Sequence, residues 1–295
     1  TAMQIAFQVA LGEFCDLKLG GVTEKQKEKK LSKVLYVSLE DEDEDLDDRL
    51  GYFREFWQDD KEKLQWLEDA TDLVEFLPLS GEGMTLIDYN CKKTPLFYSV
   101  FEKAKKMEGL RLIIIDTLRR AHDAEENSTG EMSRVLRHFE QLAKQSGAAV
   151  LILHHENKAG AGDKDAGAGA SRGASSIVDN SRYVIRLQKM TIGDAESRDI
   201  DIEIDRKHWI RAELVKSNYG PEGEDAWLKR VNPKSPILTA QIPPPAQENG
   251  KKQQSFKEKQ QNKKQNQQIA KKESNGTAYA SEKNGEIMTE KDIFG

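Results

Sequence analysis

The sequence predicts an α/β protein with a mostly parallel sheet flanked by helices, followed by an antiparallel extension and a disordered tail. Over residues 33–153, apolar runs typical of strands buried on both faces alternate with amphipathic helical segments, which is the rhythm of parallel βαβ units. Shorter strand-like segments follow from residue 182. The end of the chain mixes Lys, Gln, Asn and Glu and cannot bury enough apolar surface to order itself. We therefore predict a core over residues 1–236 and a tail over residues 237–295.

Composition limits the classes of protein open to this chain. A net charge of −6 over 295 residues gives no bulk attraction to nucleic acid, although it leaves room for a local basic patch. The chain has two cysteines, no charged-then-apolar leader and no apolar run near the ~20 residues of a membrane span. These features predict a cytoplasmic protein with no membrane partner. The helical pattern is already under way at the first residue, with neither an initiator Met nor a cap, so we expect the sequence to be cut off at its start.

Hydrophobic spacing predicts the elements in chain order. Helices are expected at residues 1–11, 41–57, within 61–71, and at 96–107, 131–145 and 173–180. Strands buried in a parallel sheet are expected at 33–39, 73–77, 111–116 and 148–153. Strands of the antiparallel extension are expected at 182–187, 200–204, 211–215 and 227–231.

Two of the predicted parallel strands end in a carboxylate. Leu112 and three isoleucines lead to Asp116, and open α/β sheets bind ligands at the carboxyl ends of their strands. In nucleoside triphosphatases an aspartate there holds Mg²⁺ directly or through water, but many α/β proteins end a core strand with Asp, so both interpretations are open. Glu40 closes the strand at 33–39, where a carboxylate beside a second strand-end acid is suited to polarising an attacking water. The acids at 43–48 are explained by a solvated first helical turn.

The last parallel strand ends in a histidine pair and leads into a Gly-rich loop. His154 and His155 are either a packed or surface pair, or donors to a phosphate at the same rim. The loop at residues 156–171 is rich in Gly and Ala, and its cations are Lys158 and Lys164, with Arg172 directly after it. It is either a mobile surface loop or a loop that follows a polyanion through backbone amides and these cations.

Several blocks of the sequence together resemble a known family. Residues 111–127, 149–155 and 170–180, with Lys-Ser-Asn-Tyr-Gly at 216–220, resemble the RepA-type hexameric replicative DNA helicases of broad-host-range plasmids. These helicases belong with the RecA-like and DnaB-like ring ATPases. The resemblance covers residues 1–231 in order and is most specific over 116–182, whereas the tail has no counterpart. It implies a RecA-like P-loop NTPase core, ATP and Mg²⁺ as cofactors, single-stranded DNA as a partner, and a homo-oligomer in the form of a hexameric ring.

The same resemblance implies a role for individual residues. Asp116 matches the Walker B acid that holds Mg²⁺, and Glu40 matches the glutamate that activates water. His155 matches the histidine that senses the γ-phosphate, and Arg182 matches an arginine finger that acts in a neighbouring subunit's site. Two further positions at the nucleotide are Arg49 and Thr117. The loops at 121–130 and 156–172 would line a central channel and touch DNA, the second through Lys158, Lys164 and Arg172.

One element of this family is not in the sequence. The phosphate-binding loop Gly-x-x-x-x-Gly-Lys-Ser/Thr is expected just before Thr1, and without it nothing cradles the β- and γ-phosphates. We therefore expect activity in the intact protein and none in these 295 residues alone. The leading hypothesis is an ATP-driven replicative helicase. The alternatives are a RecA-like ATPase of recombination or repair, and a non-catalytic DNA-binding or assembly module that lacks the phosphate loop.

Overall fold

The computed structural model describes residues 2–12, 31–81, 83–155, 172–218, 225–232 and 237–246, with only the backbone at 172–175. The chain divides into two compact units. The larger unit holds Thr1–Met190 and Glu203–Pro243, and the smaller unit holds Thr191–Ile202 and Pro244–Gly295. Both β-sheets lie in the larger unit.

A four-stranded parallel sheet forms the centre of the larger unit. Its strands are β1 (Lys33–Ser38), β2 (Val74–Pro78), β3 (Leu110–Asp116) and β4 (Ala149–Ile152), in the spatial order β2-β1-β3-β4. In the parallel register Ser38 pairs with Asp116, and Ile115 pairs with Ile152. The carboxyl ends of β1, β3 and β4 therefore lie side by side at one edge of the sheet.

Helices cover both faces of this sheet, which is why its strands are apolar on both sides. One face packs against α1 (Ala2–Leu11), α2 (Asp43–Phe56) and α3 (Lys61–Thr71), and the other against α4 (Pro95–Lys106) and α6 (Thr129–Ser146). Two shorter helices are α5 (Leu118–Ala121) and α7 (Arg172–Asn180). Successive strand residues point to opposite faces. Accordingly Tyr36 and Ile114 join the core under α1 to α3, whereas Val37 and Ile115 join the core under α4 and α6.

The ends of the two long helices on one face are set by single residues. At the start of α4 the Thr94 side chain accepts a hydrogen bond from the Phe97 N–H (3.4 Å), and Pro95 occupies the first turn, where its missing N–H costs nothing. At the end of α6 Gly147 adopts φ 72°, a left-handed conformation that glycine takes without a steric penalty. The predicted stop of this helix at Gly147 is confirmed.

The antiparallel extension is a second four-stranded sheet. Its strands are β5 (Tyr183–Lys189), β6 (Trp209–Ser217), β7 (Ala226–Arg230) and β8 (Leu238–Ala240), paired in that order. The Gln4 side chain of α1 hydrogen-bonds both backbone groups of Leu238, with Nε2 donating to the carbonyl (2.8 Å) and Oε1 accepting from the N–H (3.2 Å). Strand β8 therefore belongs to the folded core, although the sequence places the boundary before residue 237. It is too short for periodicity to reveal, and prolines and polar residues surround it.

The strand predicted at residues 200–204 is wrong. Thr191 and Asp194 instead form a capping box that starts α8 (Ile192–Ser197) in the smaller unit. Residues 202–205 form a turn. Ile204 is 66% exposed, so the alternating isoleucines do not mark a buried face. Asp199 adopts φ 54°, which interrupts an extended backbone.

The predicted fold class is confirmed: a mostly parallel sheet flanked by helices, with an antiparallel extension. The disordered tail stays a prediction, because residues 247–295 lie outside the described part of the chain. Within the described ranges, no helix combines the length and apolar character needed to cross a membrane.

Candidate functional site at the carboxyl edge of the parallel sheet

The backbone brings three predicted site residues to one edge of the parallel sheet. The Leu39 N–H donates to the Asp116 carbonyl (2.7 Å), so the chain after β1 runs directly beside the end of β3. The Leu153 N–H donates to the Ile115 carbonyl (3.0 Å), which extends the same alignment to the end of β4. Glu40, Asp116 and His155 therefore leave neighbouring strands at the edge where open α/β sheets bind their ligands.

Glu40 is the acid that contacts the most partners at this edge. One carboxylate oxygen lies 3.9 Å from His155 Nε2, and the other lies 3.8 Å from Arg120 Nε. All three side chains are accessible, at 37% for Glu40, 77% for His155 and 66% for Arg120. Contacts this long between exposed groups are weak and are exchanged easily when a ligand arrives. Glu40 is thus available to water while two proton-donating side chains flank it.

Asp116 sits in a very different environment. It is 7% exposed, and its Oδ2 accepts a hydrogen bond from the Tyr36 hydroxyl at 2.5 Å. Burial is the main cause that raises the pKa of Tyr36, and the neighbouring Asp116 carboxylate adds to it, so the phenol is a protonated donor at neutral pH. A cis peptide bond joins Asp116 to Thr117. Thr117 is buried, and in the described part of the chain its Oγ1 has no hydrogen-bond partner.

Arg49 is held by a second acid of the same edge. Its guanidinium meets both oxygens of Asp41 in a fork, with two contacts of 2.7 Å. Burial raises the pKa of Asp41, Arg49 opposes that shift, and the Asp116 carboxylate adds to it. The predicted position of Arg49 near a nucleotide stays a prediction; its observed partner is Asp41.

The residues at this edge fit a magnesium nucleotide. Carboxylate and hydroxyl oxygens suit Mg²⁺, and Asp116 and Thr117 supply both beside each other. The described ranges contain no group of three or more His, Cys, Asp or Glu that would hold a metal ion. Magnesium is usually bound through one or two carboxylates, with water and substrate phosphate completing its shell, so a lone buried aspartate is a suitable ligand.

The remaining predicted residues lie elsewhere or outside the description. Arg182 is exposed and directly precedes β5, where its carbonyl accepts the Asn218 N–H (2.9 Å). Lys158 and Lys164 lie outside the described residues, and of Arg172 only the backbone, in α7, is described. Part of the loop at 121–130, predicted as a channel loop, is core: Ala121, His122 and Ala124 are buried.

Sequence reasoning missed Tyr36, Asp41 and Arg120 as parts of this edge. Tyr36 reads as one more apolar strand residue, and only the register between β1 and β3 shows that it reaches Asp116. A partial signal existed for Arg120, since it follows a strand-end acid by four positions. For Asp41 the acidic run that follows masks any local signal.

A parallel sheet with acids at the ends of neighbouring strands is typical of nucleotide-binding α/β ATPases. Comparison with known families agrees, since residues 1–161, more than half of the chain, match the AAA domain family. The chain belongs to that family. Members are ATPases, a class that binds nucleotide and typically Mg²⁺.

Two solved structures are similar to the chain. The ATPase domain of a helicase has 16% sequence identity and a TM-score of 0.46, covering 68% of this chain and 72% of its own. The RadB recombinase has 16% identity and a TM-score of 0.41, covering 77% of this chain and 79% of its own. At this identity neither structure indicates what the present chain binds.

Proposed function

We propose that the protein is a subunit of a RepA-like, ATP-driven replicative DNA helicase, which couples hydrolysis to movement on single-stranded DNA. The supporting observation is the division of labour between two acids at one sheet edge. Asp116 is buried and held by a hydrogen bond, as suits a metal ligand, whereas Glu40 is accessible and lies within 4 Å of His155. A nucleoside triphosphatase needs both kinds of carboxylate.

Each residue of this edge has a role in the proposed reaction. Asp116, with Thr117 beside it, would hold Mg²⁺, which when bound neutralises charge on the phosphates. Glu40 accepts the proton of the attacking water, and its exposure gives water access to it. His155 lies close enough to Glu40 for a donor to the γ-phosphate and the catalytic base to influence one another. The phosphate-binding loop that the family resemblance implies would complete the nucleotide site.

The proposed partners are single-stranded DNA and further copies of the chain, arranged as a hexameric ring. Lys158, Lys164 and Arg172 would contact DNA, in a segment that leaves the strand carrying His155. Three cations in each subunit are few, so affinity would come from several subunits acting together. Arg182 would reach the nucleotide of the adjacent subunit.

The test is a Glu40→Gln variant of the protein expressed from its full coding sequence, including any residues before Thr1. The amide keeps the shape of the side chain but cannot take a proton, so nucleotide binding should persist while turnover falls by about 10²–10⁴-fold. Glu55→Gln is the matched control, because Glu55 is an exposed acid of α2 away from the sheet edge. Normal turnover in the Glu40→Gln variant would remove Glu40 from the mechanism.

A forked DNA substrate distinguishes helicase activity from the alternatives. The unsubstituted protein should displace a strand only with ATP, and the Glu40→Gln variant should bind the fork without opening it. ATP-dependent pairing of homologous strands without displacement would favour a recombination ATPase. DNA binding with neither hydrolysis nor displacement would favour a non-catalytic module.

A further inference from the structure

Tyr36 is a buried polar group at the candidate site that the proposed chemistry does not use. It lies in the middle of β1, is 1% exposed, and pairs with Ile114 of β3 in the parallel register. Ile114 and Asp116 are two residues apart, so their side chains leave the same face of the sheet. The tyrosine ring rises on that face as well, and its hydroxyl reaches the carboxylate one pair nearer the edge.

The surroundings of the ring fix the position of its hydroxyl. Strand β1 lies between β2 and β3, and the ring packs against Phe76 of β2 with centroids 5.5 Å apart. The helices α1 to α3 close the same core over it. A tyrosine held in this way has little rotational freedom, so its hydrogen bond restrains the carboxylate that accepts it.

We propose that Tyr36 is a positioning residue for the metal-binding carboxylate: its hydroxyl holds Asp116 Oδ2 and leaves Oδ1 for the divalent cation. This inference rests on the proposed ATPase function, because it assigns the partner of Asp116 as Mg²⁺. Groups that orient a metal ligand through a hydrogen bond typically change metal affinity or activity by about 10–100-fold when they are removed.

A purely structural role makes a different prediction. If Tyr36 only satisfies a buried carboxylate, its loss lowers the stability of the whole larger unit and affects nucleotide and metal equally. If it positions Asp116, the loss falls on the cation. Tyr36→Phe separates the two, because it keeps the ring and its packing on Phe76 and removes only the hydroxyl.

The experiment measures Mn²⁺ binding to the full-length protein by the electron paramagnetic resonance signal of free Mn²⁺, with a non-hydrolysable ATP analogue present. Tyr36→Phe should weaken Mn²⁺ binding by about 10–100-fold, and raising Mn²⁺ should restore kcat. Affinity for the analogue in EDTA should stay within about threefold of the unsubstituted protein, since no cation is then involved. Tyr98→Phe, at a 54% exposed tyrosine of α4, should match the unsubstituted protein.

Asp116→Asn makes the outcomes distinguishable. Added to Asp116→Asn, the Tyr36→Phe change should weaken Mn²⁺ binding no further, because both act through one carboxylate. If Asp116→Asn abolishes Mn²⁺ binding and Tyr36→Phe leaves it unchanged, the positioning role is overturned and the proposed function stands. Equal losses of Mn²⁺ and of analogue binding in EDTA overturn it in favour of a structural role. If the unsubstituted protein binds no Mn²⁺ with the analogue, the proposed function fails and this inference fails with it.

Discussion

Replacing Gln4 by methionine should detach β8 from the core. The Gln4 amide is 4% exposed and satisfies the N–H and the carbonyl of Leu238 together. Methionine has nearly the same length but neither donates nor accepts strongly, so both backbone groups lose their partner. Leu238 itself is 2% exposed, which leaves little water to replace the lost bonds.

The magnitude follows from the two orphaned groups. A buried polar group left without its partner costs about 1–3 kcal/mol, so two cost about 2–6 kcal/mol in the free energy of unfolding. Burial of the methionine side chain offsets part of this, and a net loss of about 2–4 kcal/mol is expected. For a folded unit of this size the loss corresponds to a fall in Tm of roughly 5–15 °C.

Urea unfolding followed by tryptophan fluorescence measures the loss, with Gln65→Met as the control. Gln65 is an exposed residue of α3 whose hydrogen bond to Asp69 spans one helical turn, so that change should cost less than about 0.5 kcal/mol. A chain ending after Pro236 lacks β8, and in it Gln4→Met should cost almost nothing, because the partner is already gone. A chain ending after Ala246 should be as stable as the full one. If Gln4→Met costs the same with and without β8, the contact between α1 and Leu238 is not what stabilises this strand.

Two further predictions concern a buried histidine and a subunit boundary. Burial lowers the pKa of His122 and Arg119 adds to the shift, although Glu126 opposes it. The unfolded chain therefore takes up the proton first, and stability should fall as pH drops below about 6.5, by at most about 1.4 kcal/mol per pH unit. His122→Gln should flatten the pH dependence of urea midpoints between pH 7.5 and 5.5, whereas His155→Gln, at a 77% exposed site, supplies the control; an unchanged slope in the first variant would contradict this. For Arg182, mixing Arg182→Ala with Glu40→Gln subunits should restore part of the ATPase rate, because some shared sites are then wild type on both sides, and an arginine acting in trans is typically worth about 10³–10⁵ in rate. Mixtures that never exceed the sum of the two separate proteins would exclude an arginine acting across a boundary.

The parallel half of the fold was predictable because its signals are local and strong. The run of isoleucines before Asp116 and the left-handed glycine after α6 fix a strand and a helix end without any knowledge of the rest of the chain. The antiparallel half depends on which segments find a place in a sheet. Residues 200–204 alternate like a strand but form a turn, whereas β8 has a weak pattern and is recruited by Gln4 from the opposite end of the chain. Contacts across more than two hundred residues leave no trace in a short window.

The candidate site divides along the same line. Strand ends are visible in sequence, so Glu40, Asp116 and His155 could be brought to one edge by reasoning alone. Tyr36 could not, because its role depends on the register of β1 against β3, and shifting the pair by one residue would send the ring to the other face.

Strand β1 thus controls more of the site than its single catalytic candidate suggests. Tyr36 reaches Asp116, Glu40 meets Arg120 and His155, and Asp41 holds Arg49, all from six consecutive residues. Every residue of β1 from Val34 onward is buried, and the strand is hydrogen-bonded on both sides, so it has little freedom to move alone. A displacement of β1 relative to β3 would disturb the metal ligand and the water-activating acid together. Substitutions in its core, far from solvent, should therefore alter metal dependence as well as stability, whereas equivalent core changes in α4 should alter stability alone.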